Sequence, residues 1–374
     1  MLDVTGNNIA NVNTTAFKSS ATQFQDTLSQ LTKGASGPQA ASGGSNPAQI
    51  GLGVQVAAIS TNFSQGSQQA TGRSTDMMIS GDGFFMVQSG GESLYTRAGS
   101  FSFDADGRLV TPDGALVQGW TAIDGVIPTT AGAVGNVTLP QNAVAPAVKT
   151  TSITMSGNLP SGVAVGDSLT RDVDVYDSTG ERRTLSIDFA RTATGWNATA
   201  HDGATTVTQA LTYNSAGKVA TGGTLTINGI AIDLSTTTGF AGLSTIAGSK
   251  QDGREPGTLQ SFSLAKDGTL VGSFSNGATE PIARVALATF VNPGGLEKAG
   301  GSTYRTSINS GAPTLGAAGS GGIGALVGGA LEMSNVDLSQ EFTNLIVAQR
   351  GFQANARIIT TSDEVLQELT NLKR

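Results

Sequence analysis

Leu225-Thr226-Ile227-Asn228-Gly229-Ile230-Ala231-Ile232-Asp233-Leu234 is the stretch on which the fold turns. Apolar residues alternate with small or polar ones on both sides of an Asn-Gly pair. A period of two sets one face of each run against a core. Asn-Gly tolerates the positive φ that both central positions of a two-residue hairpin require. An antiparallel hairpin is therefore predicted here. Further out, Leu185, Ile187 and Phe189 alternate with Thr184, Ser186 and Asp188, as in a half-buried strand. Turn signals recur at Asp106-Gly107, Asp113-Gly114 and Asp267-Gly268. From Met77 to Ala288 the chain reads as antiparallel β structure in two modules.

The flanks read differently. Gly34 to Gly53 and Ser310 to Gly329 are mostly Gly, Ala, Ser and Pro or small apolar residues, which predicts extended linkers. Phe17 to Lys33 has room for a short helix. Met1 to Val12 is weakly helical, with Leu2 and Ile9 one heptad apart, and Asn7, Asn8, Asn11 and Asn13 favour the turn that ends it. Beyond the second soft segment, Leu338, Leu345, Phe352, Ile359 and Leu366 recur every seven residues, flanked by Ile358, Val365 and Leu372. With no proline and only Gly351, Ser334 to Leu372 should be one amphipathic helix. A glycine-rich segment separates its stripe from the β core, so other chains or the other terminus are expected to cover it.

Composition narrows the function. At 374 residues the chain exceeds a usual single core, so two or more domains are expected. With 13% charged residues and 51 glycines it reads as a turn-rich β protein rather than a charged disordered chain. Net charge is -7, and the 21 Lys and Arg are scattered, which argues against nucleic acid. No apolar run is long enough for membrane insertion and no leader of the secretory type opens the chain. There is no cysteine, which removes disulfides, thiolate metal sites and cysteine nucleophiles together.

Several motifs could have meant chemistry. Gly319-Ser320-Gly321-Gly322-Ile323-Gly324 has dinucleotide-fingerprint spacing, but no apolar strand precedes it and no helix opens at it, so a hinge is the better reading. His201 is the sole histidine and is expected on a polar turn beside Asp202-Gly203. Asp172 and Asp174 alternate with Val173 and Val175 as on a strand face; with Asp177 they lack the glycine and distal glutamate of a calcium loop. No catalytic, cofactor-binding or metal residue is assigned. Carboxylates facing each other across a cleft leave no mark in sequence, so a glycosidase-like site stays open at this point.

The two ends carry a resemblance. Asn7-Asn8-Ile9-Ala10-Asn11-Val12-Asn13-Thr14-Thr15-Ala16-Phe17-Lys18 resembles the N-terminal signature of the flagellar rod and hook axial proteins. Gly329 to Leu338 and Val347-Ala348-Gln349-Arg350-Gly351-Phe352-Gln353-Ala354-Asn355 resemble the matching C-terminal signature. That family usually has Gly where Ala16 stands, so the local backbone need not adopt positive φ there. Its members also begin several helical turns ahead of the Asn-rich signature, whereas Met1 stands almost at it. The expectation is a shortened N-terminal arm, from an internal methionine start or a truncation. Such a chain is expected to pair poorly with its own C-terminal helix and to lack an export-recognition element.

Gly81-Asp82-Gly83-Phe84-Phe85, Tyr95-Thr96-Arg97-Ala98-Gly99, Asp104 to Gly119 and Pro256 to Pro293 are similar to the family's inner β domain. The insertion from about Thr150 to Gln251 is like the outer domain of its hook branch. The resemblance implies a mainly β multidomain fold with terminal α-helices and nested, discontinuous domains. Residues 1–17 and 331–374 would be the helical axial region, and 18–71 and 316–330 linkers. Residues 72–149 and 252–315 would form the inner β domain, and 150–251 the outer β-barrel or sandwich. The implied role is non-enzymatic: a subunit of the bacterial flagellar hook, a tubular universal joint passing torque from rod to filament, extracellular after export. Leu338, Phe342, Leu345, Phe352, Ile359 and Leu366 would pack between subunits, while Asn7, Asn8, Asn11, Asn13 and Phe17 shape the N-terminal turn. Implied partners are other copies in a helical homopolymer, rod and hook-filament junction proteins, the hook cap and the flagellar type III export apparatus, with no cofactor. The rival readings are a distal rod subunit and a secreted β-sandwich ligand-binding module or hydrolase.

Overall fold

The computed structural model describes the chain except residues 40–42, 124, 129–132, 140–143 and 372–374, so Leu372 lies outside the described residues. The chain folds as two units. One comprises Met1–Pro140, Ser263–Val271 and Pro281–Arg374; the other, Gln141–Phe262 and Gly272–Glu280.

The Gln141–Phe262 unit contains the decisive hairpin. Ile227 pairs with Ile230, and Asn228 and Gly229 take φ of 47° and 81°, a two-residue turn with both centres left-handed. Leu225, Ile227, Ile230 and Ile232 are all buried. A second sheet is an antiparallel meander of Ser168–Tyr176, Arg182–Arg191, Trp196–Asp202, Thr205–Tyr213 and Val219–Thr221. Its inward residues Leu185, Ile187, Phe189, Trp196, Ala198 and Ala200 share one core with the hairpin. His201 stands on a strand of this sheet rather than on a turn, its Nε2 3.2 Å from Asp188 Oδ2. The unit is wider than the expected 150–251. Val144–Ala145 pairs with Gly257–Thr258, and Ala145 packs on Phe274 and Ala278.

In the other unit the elements begin with helix α1 (Leu2–Ala10). Strands β1 (Ser20–Asp26) and β2 (Ser29–Lys33) follow where a short helix was expected. Their Ser, Thr and Gln residues make no apolar helical stripe, and they pair along their length with β4 (Val54–Thr61) and β3 (Ala48–Gly51). Much of the 18–71 span expected to be a linker is thus a pair of two-stranded ribbons. Next come β5 (Gln68–Ala70), β6 (Met77–Ser80), β7 (Phe84–Ser89) and β8 (Glu92–Thr96). β7 lies between β8 and Leu116–Thr121, and β8 pairs onward to Thr303–Arg305. Phe84, Tyr95, Phe290 and Tyr304 pack edge to face over this sheet.

The soft segment 316–330 is also structured. Ala325–Gly328 pairs with β6, Ala330–Glu332 pairs with β5, and Ala317, Ala318, Ile323 and Leu326 are buried. Small side chains here allow close packing rather than slack. Gly319, Gly321 and Gly322 have positive φ in a turn that leads into a strand, so the fingerprint spacing opens no helix. Helix α2 (Leu338–Asn371) closes the chain.

Candidate functional site: the junction of the chain ends and the helix beyond it

α1 ends because its asparagines take over its backbone. Asn11 donates from Nδ2 to Asn7 O at 2.9 Å and accepts from Thr14 Oγ1 at 3.0 Å. Asn8, 1% exposed, brackets one residue of β1: its Nδ2 donates to Ser20 O at 2.8 Å and its Oδ1 accepts from Ser20 N at 3.0 Å. The same Nδ2 reaches Glu341 Oε1 at 2.8 Å on the first turn of α2. One amide side chain therefore ties α1, β1 and α2 together. Phe17 is half-buried under the Lys298 ammonium, 5.4 Å from the ring centroid, while Asn13 is exposed.

Ala16 has φ of +56°, so the backbone takes the left-handed conformation although glycine is absent there. The Ala16 N–H donates to Glu332 O at 2.8 Å, and this tertiary bond holds the alanine in the left-handed region. Two residues on, Lys18 enters the interior. Its Nζ lies 2.6 Å from Glu332 Oε1 and donates to Ser64 O at 2.7 Å, and both charged side chains are fully buried. Glu332 Oε1 also accepts from Gly66 N at 2.8 Å. A Cβ on Gly66 would stand 2.0 Å from Met333 O, so only glycine permits the approach. Burial lowers the Lys18 pKa, opposed by its bond to Glu332. Arg97 completes the cluster, with Nη1 3.6 Å from Glu332 Oε2.

Asn335 is a second clamp. Its Oδ1 accepts from Ser19 N at 2.8 Å, and its Nδ2 donates to Asn62 O at 2.8 Å and Ser64 O at 3.1 Å. α2 starts just after it, at Leu338 rather than Ser334, because Asp337 Oδ1 caps Ser339 N at 2.8 Å and Gln340 N at 3.3 Å.

No described side chain of α2 is buried. Leu345 is half-buried, whereas Phe352, Ile359 and Leu366 are 71%, 70% and 61% exposed. Leu338 and Phe342 lie at the junction end and are also exposed. The helix is not apolar enough to cross a membrane. The structure thus ties Asn8 to the first turn of α2, keeps Asn7 and Asn11 on the turn that ends α1, sets Phe17 beside Asn335, and leaves the distal stripe in solvent. Sequence reasoning passed over Lys18, Gly66, Arg97, Glu332 and Asn335. A lone Lys and a lone Glu within small-residue signatures were the available signal.

Residues 327–372 match the family described as flagellar basal body rod FlgEFG protein C-terminal, and residues 78–159 match the flagellar hook protein FlgE/F/G D1 domain. The flagellar hook protein FlgE of Borreliella burgdorferi is 37% identical over all of this chain and 96% of its own length. That of Salmonella typhimurium is 36% identical with the same coverage. The basal-body rod protein FlgG of Bacillus subtilis is 34% identical over all of this chain and 93% of its own. The crystal structure of Helicobacter pylori flagellar hook protein FlgE2 superposes with a TM-score of 0.52, covering 69% of this chain and 98% of that one. At 16% identity that last likeness is one of fold. The chain belongs to the flagellar rod and hook protein family, and within it to the hook proteins.

Proposed function

We propose that this chain polymerises into the flagellar hook through the stripe of α2, packing Leu338, Phe342, Leu345, Phe352, Ile359 and Leu366 against helices of neighbouring copies. The observation that carries the reading is a helix of 34 residues with no buried side chain. Each large apolar residue buried on assembly contributes about 1.5–3 kcal/mol. Several together can offset the roughly 4–15 kcal/mol of freedom lost on association. A tube grown by repeated addition needs two different faces per subunit. In this reading residues 1–17 and 331–374 form the axial wall.

The role is structural: the polymer is a flexible tube that passes motor torque from rod to filament. Export by the flagellar type III apparatus, growth under a cap and junctions with rod and hook-filament proteins belong to the same proposal. The test is electron microscopy of the full chain, extended ahead of Met1 by the helical turns expected of the family, beside the same chain lacking 338–371. Curved tubes are expected from the first, and a folded β monomer from the second. Tubes from the truncated chain, or a full chain that stays monomeric when concentrated, overturn the reading. Straight rigid tubes would favour a rod subunit.

A further inference from the structure

A cleft of about 350 Å³ lies beside the junction of the chain ends, walled by Phe63, Phe84, Phe290 and Val291, with Asp82 at its lip and Arg97 in its lining. Arg97 is 2% exposed, and its guanidinium stacks 5.3 Å from the centroid of the Phe84 ring. Its Nε and Nη1 have no hydrogen-bond partner. The 3.6 Å approach to Glu332 Oε2 is an ion pair too long to be a hydrogen bond, and Oε2 itself has no hydrogen-bond partner. Oε1 of the same carboxylate is committed to Lys18 and Gly66. Two buried cations therefore share one buried anion. Asp82 stands 3.9 Å from Arg97 Nη2, but its side chain is 93% exposed, so water screens most of what it offers. A buried guanidinium short of counter-charge is costly, and a carboxylate that reaches it offsets part of that cost.

We infer that this cleft is a binding site for a carboxylate carried on an apolar or aromatic body. The acid would accept from Arg97 Nη2, the guanidinium nitrogen nearest Asp82 at the lip, while its body packs among Phe63, Phe84 and Phe290. The same chemistry has two sources: an acidic side chain presented by a second copy of this chain, or a free small carboxylate. The first source rests on the hook reading and the second does not.

Phenylacetate is a suitable probe, with phenylacetamide as its uncharged counterpart. In thermal unfolding of the monomer, phenylacetate should raise the midpoint saturably at millimolar concentrations and the amide should not. Arg97→Met should abolish the response. If that variant fails to fold, Val291→Glu serves instead: Val291 is 91% exposed, so the change should be tolerated. A tethered carboxylate at the rim should then compete with the probe and blunt the response at least several-fold. Equal responses to acid and amide, or an undiminished response in both variants, overturn the site.

The source is read separately. The chain has no cysteine, so Val291→Cys places one thiol at the rim. Protection from maleimide in tubes but not in monomer supports the second copy. Equal labelling in tubes overturns that source and leaves the free carboxylate. Absence of tubes by microscopy overturns the hook reading while the monomer result stands.

Discussion

The Gln141–Phe262 unit and helix α2 place the same apolar residue types in opposite surroundings. In the first, Leu185, Ile187 and Phe189 are each 0% exposed against strands of their own unit. In the second, Phe352, Ile359 and Leu366 keep most of their surface in water. Both patterns are strictly periodic, one at two residues and the other at seven. Periodicity therefore reports that a residue wants a partner, and the fold decides whether the same chain supplies it.

The sharpest way to break this comparison is to truncate one phenylalanine in each region. Phe189→Ala should lower unfolding stability by about 3–5 kcal/mol, because transfer and cavity terms add in a closed core. Phe352→Ala should leave the monomer's thermal midpoint unchanged and reduce only its assembly, measured by sedimentation. An equal loss of stability in both would mean that α2 is part of a monomer core.

The junction tests a third situation, burial of charge rather than of hydrocarbon. Lys18→Met strands Glu332 with only the longer contact to Arg97, and should cost about 3 kcal/mol in denaturant unfolding. Adding Glu332→Met should cost less than the sum of the single changes, since the pair is coupled. Strict additivity would show that the two charges do not interact.

A somewhat smaller effect is set by alkali. Burial raises the Tyr304 phenol to about 12, the Arg97 charge opposing the shift and Glu332 adding to it. Below pH 10 the phenol is protonated in folded and unfolded chains alike, and its full contribution is present. Between pH 10 and about 12 the unfolded chain ionises first, so roughly 2–3 kcal/mol should be lost as pH rises. Lys18 acts with opposite sign: its folded pKa is lowered, so stability rises with pH up to 10.5. Circular dichroism of Tyr304→Phe across pH 9–12 should show a flatter loss above pH 10; an unchanged profile would remove Tyr304 as its cause.

The smallest effect concerns Ala16. Ala16→Gly relieves left-handed strain of about 1 kcal/mol but gives up a buried methyl, so a net gain below about 1 kcal/mol is expected. A clear drop in the thermal midpoint would show that methyl packing dominates there.

How much was legible in the sequence follows from how local each signal is. The Asn228-Gly229 hairpin, the alternation around Ile187 and the α2 heptads all lie within short windows, and each became the expected element. Strands β1 to β4 were hidden because their ladders mix polar residues with scattered apolar ones across a glycine-rich connection. Ala325–Gly328 and Ala330–Glu332 were read as slack because small residues look alike in a linker and in a tight pairing. The Lys18–Glu332 pair spans 314 positions, and no periodicity announces a contact of that separation. The left-handed backbone of Ala16 is imposed by that same distant strand.

That strand has a consequence for when the protein can fold. Ala330–Glu332 is the partner of β5, the acceptor for Ala16 and the counter-charge for Lys18. The first seventy residues therefore cannot complete their structure until the last fifty exist. Contacts this distant in sequence form late, since their loop entropy is met before they return any stability. The growing chain lacks this closing clasp until Ala330–Glu332 has been made.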